Sequence, residues 1–158
     1  MAIAAHPMRP GRTAFAQGMF WGLLAGVLQC VFTFVVGGIG GIAIGLLAVV
    51  IGLLCASIAA AWKTRSLGAG AQAGFWCGIW SGLLFIIVTL LTLFVLGNRQ
   101  LLKDLYLQSL PLYTGGLTLQ SFVLVGLLSA GYIFIAALLG GIIGAIGSIF
   151  GRIVPRRV

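Results

Sequence analysis

Between Arg12 and Lys63 the chain runs for fifty consecutive residues without a charged side chain. As one helix that stretch would be about 75 Å long at about 1.5 Å per residue, against a bilayer hydrocarbon core of about 30 Å. The run therefore has to fold back on itself. Gly37-Gly38-Ile39-Gly40-Gly41 places four glycines in five residues, and glycine takes the backbone angles of a tight turn without steric penalty. A first crossing over about 14–36 and a second over about 40–62 follow.

The next uncharged stretch has its apolar body at about 71–96, a third crossing that Gly97-Asn98 is placed to cap. From Thr114 to Gly151 the chain is again uncharged, too long for one ordinary crossing and too short for two with a loop. One tilted or protruding helix over about 118–147 fits. Only 6% of the residues are charged, where a water-soluble domain carries about 25%, so a soluble globular enzyme is excluded. The expected fold class is an all-α integral membrane protein with four transmembrane helices, residues 1–158 forming a single membrane domain.

Nine Lys and Arg face one acidic residue, for a formal charge of +8. Such an imbalance can bind nucleic acid, but here the basic residues punctuate the ends of apolar runs and form no block interleaved with aromatics, so no nucleic-acid partner is expected. Arg9, Arg12, Lys63, Arg65, Arg152, Arg156 and Arg157 would share one side of the membrane, leaving Arg99 and Lys103 on the other. By the positive-inside rule both termini are cytoplasmic in a multi-pass protein of the cell (inner) membrane. The seven inner-face basic residues are expected to meet anionic lipid headgroups. Trp62 at the inner boundary, with Tyr106 and Tyr113 at the outer one, reads as an aromatic belt. The first apolar region is too long for a signal peptide and no small-x-small site follows it, so the encoded and mature chains are expected to be the same. Segment 99–110 gathers Leu101, Leu102, Leu105 and Tyr106 on one face, the pattern of a short helix lying in the outer interface.

Glycine occupies 25 of the 158 positions, and much of it is spaced by four. Lipid tails offer helices no hydrophobic reason to associate, so small residues that let backbones touch supply much of the attraction. Gly18, Gly22 and Gly26, then Gly37, Gly41 and Gly45, then Gly74, Gly78 and Gly82, and finally Gly140 and Gly144 are the expected helix-packing positions; Gly52-x3-Ala56-x3-Ala60 and Gly147-x3-Gly151 repeat the theme. A shift of 56 residues lays the first stripe on the third, with Phe20 on Trp76 and Thr33 on Thr89. The fold is accordingly read as two tandem parallel helical hairpins related by an axis along the membrane normal, with crossings one and three meeting through equivalent glycine faces.

Catalysis within a membrane needs a nucleophile, a base or a metal. The apolar runs contain no Asp, Glu, His, Lys or Arg; the one acid is Asp104 and the one histidine His6, neither with a partner for acid–base work, a zinc site or a serine triad. Cys30, Cys55 and Cys77 lack CxxC spacing and read as buried free thiols. Gln17, Gln29, Thr33, Ser57, Gln72, Ser81, Thr89, Thr92, Gln120, Ser121 and Ser129 read as interhelical hydrogen-bonding groups or, alternatively, as a polar path. No catalytic, cofactor or metal site is expected.

Ala59-Ala60-Ala61-Trp62-Lys63-Thr64-Arg65 closing the second helix, Gly74-x3-Gly78-x3-Gly82 opening the third and Gly140-Gly141-x2-Gly144 in the fourth together give a layout that resembles uncharacterised prokaryotic families of small, glycine-rich, four-helix membrane proteins. The resemblance implies a membrane fold and carries no activity. The carboxylates of rotary-ATPase proteolipids and of small multidrug carriers have no counterpart here. The expected role is a non-enzymatic structural or partner-binding component of a membrane complex, its partners being the bilayer and either copies of itself or other membrane proteins. The alternative is an oligomeric channel or uncoupled permeation protein for a small solute or ion.

Overall fold

A computed structural model describes residues 10–95 and 119–153, and all of its elements are helical. Helix α1 (Pro10–Val31) runs into a π-helical turn (Phe32–Val36); α2 spans Gly38–Thr64, α3 Leu67–Val95 and α4 Leu119–Ile153. Four helical stretches, Pro10–Val36, Gly38–Thr64, Leu67–Leu91 and Gly126–Ile153, are long and apolar enough to cross a membrane. The expected interfacial segment 99–110, together with Asp104, His6, Arg9, Arg99, Lys103, Arg156 and Arg157, lies outside the described residues.

The helices alternate in direction and form two hairpins side by side. Parallel pairs α1/α3 and α2/α4 are neighbours, α2 and α3 meet across the short diagonal, and α1 and α4 lie opposite one another. Large apolar side chains such as Phe20, Leu47, Leu91, Phe134 and Ile142 are exposed around the outside, while the core is built from small residues, among them Ala14, Ala56, Ala60, Ala73 and Cys77. That inversion of a soluble core suits a bundle whose solvent is lipid.

Helix α1 begins at Pro10 rather than near 14, and three further boundaries differ from the sequence expectation where glycines turn or pack. The reversal between α1 and α2 uses Gly37 (φ 69°) and Gly38 (φ 59°), whereas Gly40 and Gly41 belong to α2. Helix α3 begins at Leu67 rather than near 71, because Gly70 is a contact position: a Cβ there would collide with Ser148 Cβ and stand 3.0 Å from the Ser57 carbonyl oxygen. Helix α4 continues to Ile153 because Gly147 lies on Ser57, and Gly151 lies on Ile58 and Ala61 of α2. Intrinsic helix propensity disfavours glycine by about 1 kcal/mol, and close contact with a neighbouring helix overrides it.

The expected meeting of α1 and α3 through equivalent glycine faces does not occur. Gly18, Gly22 and Gly26 of α1 rest on the Ala73, Cys77 and Ser81 face of α3, whereas Gly74 and Gly78 of α3 are turned to Ala136, Gly140 and Gly144 of α4. The two α3 faces are offset by one residue, about 100° around the helix. Thus α3 is close-packed on two adjacent sides, and the repeated spacing is not matched by repeated packing. A two-fold axis would bring like faces together; the side-by-side hairpins do not.

Candidate functional site

The seams between helices are backbone contacts permitted by missing side chains. A Cβ on Gly18 would stand 2.6 Å from both the Ala73 carbonyl oxygen and Trp76 Cβ, and one on Gly22 would stand 2.7 Å from the Cys77 carbonyl oxygen. Such approaches allow Cα–H···O contacts along parallel helices. Gly26 is looser, at 3.1 Å from Ser81 Cα. Between α3 and α4 the approach is tighter still: Gly74 faces the Gly140 carbonyl and Gly78 the Ala136 carbonyl, while Gly144 lies on Gly70 and Gly74. On the α1/α2 seam, Gly41 covers the Phe32 carbonyl, Gly45 meets Thr33 and Gln29, and Gly52 meets Ala25 Cβ. Gly37 serves the turn alone. Gly70 was missing from the expected packing positions, although it extends the Gly74 stripe by one further step of four.

Toward the end of the bundle that carries the α1/α2 turn, the seams give way to polar contacts. Gln29, only 3% exposed, donates from Nε2 to the Tyr132 hydroxyl at 2.8 Å, joining the opposite helices α1 and α4. The Tyr132 ring passes Gly82 without crowding: a Cβ on Gly82 would lie 3.6 Å from Tyr132 Cε1, an ordinary contact distance. Phe85 packs beside it, ring centroids 5.7 Å apart. Gln29 Oε1 is buried without a hydrogen-bond partner, as is Trp80 Nε1. The π-helical turn begins three residues after Gln29, and such turns inside α-helices are frequent at functional positions.

The other polar residues are less cooperative than expected. Ser57 donates to the Leu53 and Leu54 carbonyls, Ser81 to Gly78, Thr89 to Phe85 and Ser148 to Ala145, all within their own helices. These hydroxyls satisfy themselves on the preceding turn and do not tie helices together. Gln17 is half-buried and Gln72 exposed. Cys30 and Cys77 are buried, Cys55 half-buried, and all three are free thiols.

At the opposite end, Arg12, Lys63, Arg65 and Arg152 are exposed where α1 and α3 begin and α2 and α4 finish. Arg65 closes α2 in the left-handed conformation (φ 56°, ψ 23°), its N–H donating to the Ala61 carbonyl at 2.7 Å. Its side chain crosses to α4, where Nη1 donates to the Arg152 carbonyl at 2.6 Å. A cation on the last carbonyls of a helix opposes the negative end of the helix dipole.

Among the described residues, no group of three His, Cys, Asp or Glu side chains is placed to hold a metal ion. Comparison with known proteins gives no match, whether to protein-family models, to curated proteins or to solved structures.

Proposed function

We propose that this chain is a non-enzymatic structural or partner-binding component of a membrane complex, with both termini on the cytoplasmic side of a cell membrane. The observation that carries the reading is how the interior is built: helix backbones lie directly on one another at Gly18, Gly22, Gly74 and Gly78, and buried hydroxyls are spent on their own helices. A scaffold is served by such an interior, and a solute path is not. The exposed Arg12, Lys63, Arg65 and Arg152 suit contact with anionic headgroups, and the apolar outer surface suits lipid, further copies of the chain or other membrane proteins. Nucleic acid has no place in this reading.

Affinity purification in mild detergent tests it, with a stoichiometric membrane-protein partner or a defined homo-oligomer as the expected outcome. A phosphatase reporter fused after Tyr113 should be active and fusions after Arg65 or Val158 silent; activity at Arg65 would overturn the orientation. The permeation reading is favoured by one observation, the unpartnered Gln29 Oε1 inside the bundle. Solute flux through liposomes holding the purified chain, lost on Gln29→Leu, would establish permeation in place of the scaffold.

A further inference from the structure

We infer that the Gln29 amide and the Tyr132 hydroxyl hold one internal water molecule between them, at the end of the bundle that carries the α1/α2 turn. This goes beyond the scaffold reading and does not depend on it.

The first support is an acceptor and a donor left over from a single contact. Gln29 is buried, and its Oε1 has no hydrogen-bond partner although Nε2 donates to the Tyr132 hydroxyl at 2.8 Å. The hydroxyl accepts in that contact, so its own proton is not used there. A carbonyl oxygen and a hydroxyl proton therefore stand side by side, both beyond the reach of bulk solvent, and a buried polar group left unmade is costly. Buried waters in proteins sit at such places, bridging groups that the chain itself leaves unpaired.

The second is the chemistry of the occupant. A cation could use Oε1 but not the hydroxyl proton, and an anion the reverse. A neutral molecule that both donates and accepts uses the two together, and water does so from one atom. With Nε2 donating to the hydroxyl, the hydroxyl to the water and the water to Oε1, three hydrogen bonds close a ring and all run the same way round it. Bonds in such a chain polarise one another.

The third is the way the helices part at this level. Gly74 and Gly78 place α3 on the α4 backbone, whereas a Cβ on Gly82 would meet nothing nearer than 3.5 Å. On the α1/α3 seam the closest approach likewise loosens from 2.6 Å at Gly18 to 3.1 Å at Gly26. Side chains, not backbones, separate the helices where Gln29 and Tyr132 meet. Gly45 adds no side chain of its own there: its Cβ would stand 3.1 Å from Thr33 Oγ1 and 3.3 Å from Gln29 Cγ. With Gln29 and Thr33 both buried and Phe85 packed beside the Tyr132 ring, the occupant is enclosed and small, a resident water in place of a hydrated path.

The test is magnetisation transfer from water to the Gln29 side-chain amide of the isotope-labelled full chain in detergent micelles, read by paired NOE and rotating-frame experiments at two pH values. The Gln29 Nε2 protons should show a cross-peak to water with the sign of a held molecule, equal in size at both pH values, while the exposed Gln72 amide shows no held water. Tyr132→Phe removes one of the two ligands and should abolish the Gln29 cross-peak. A cross-peak that grows with pH is relayed by proton exchange and overturns the water. The sign of passing solvent at Gln29 overturns the held molecule in favour of a hydrated path, and absence of any cross-peak in the parent overturns the site outright. A cross-peak kept at full size in Tyr132→Phe overturns the two-point site. The sign and the pH comparison are read on the parent alone, so they decide the matter even where Tyr132→Phe fails to fold.

Discussion

The glycine stripes of α1 and α3 share one spacing and meet different surfaces. In α1, Gly18 and Gly22 meet a mixture of α3 atoms, the Ala73 and Cys77 carbonyls together with the Trp76 and Trp80 Cβ atoms; in α3, Gly74 and Gly78 meet only the backbone of α4, at Gly140, Gly144 and Ala136. The α3/α4 seam also changes along its length, closed on backbone at Gly74 and Gly78 and filled by Ile133 and the Tyr132 ring at Gly82. A glycine stripe therefore announces that a face will be close-packed; the partner's composition determines how little it will yield.

Gly78→Leu carries the largest expected effect. Its first added carbon already collides with the Ala136 backbone, which cannot rotate away as a side chain does, so a loss of about 3 kcal/mol or more is expected by analogy with overpacked cores. Thermal unfolding in detergent would show it as a clear drop, with Ile79→Leu, a volume-conserving exchange on the next face, changing little. A Gly78→Leu chain as stable as the parent would mean that α3 and α4 do not meet at that position.

Next in size is Tyr132→Phe, which leaves both ends of the buried Gln29 amide unpaired. The expected cost is about 1–3 kcal/mol, and adding Gln29→Leu to the same chain should recover most of it, because removing both partners is nearly neutral. A double-mutant cycle by thermal unfolding reads the coupling. Full additivity of the two changes would break the contrast between a seam closed on backbone and one closed by a polar pair.

The smallest effects set the two stripes against each other directly. Gly22→Ala meets the Cys77 carbonyl oxygen at 2.7 Å; overpacking of about 1–3 kcal/mol less about 1 kcal/mol of helix propensity predicts a net loss of about 1 kcal/mol. Gly82→Ala meets nothing closer than 3.5 Å, so the propensity term dominates and a gain of up to about 1 kcal/mol is expected. Equal responses at the two positions would erase the distinction.

These features differ in how far the residues alone reveal them. Four apolar spans were legible because a bilayer forces backbone groups to pair within each helix, making charge-free length informative. Glycine spacing marked faces, but partner choice depends on rotation about each helix axis, and neighbouring faces such as Ala73/Cys77/Ser81 and Gly74/Gly78/Gly82 differ by a single residue. Gly41 could be read both as part of the turn and as a packing position, and Gly70 lay just before the expected third crossing; the role of each is set by Phe32 and Ser148 on neighbouring elements. Gln29 was readable as polar, but its partner Tyr132 is 103 residues away. Arg65 was legible as a boundary charge, whereas its reach to α4 depends on where Gly151 brings the two helix ends together.

The connections between helices have a consequence for how the chain enters a membrane. Gly37 alone separates the π-helical turn from α2, and Arg65-Ser66 alone separates α2 from α3. The α1/α2 reversal therefore exposes no charged or lengthy loop at its tip, and inserting this hairpin requires no hydrophilic segment to be translocated. The pair can slide in as one unit, led by a glycine corner, with every charge of residues 10–66 left on the side from which it started.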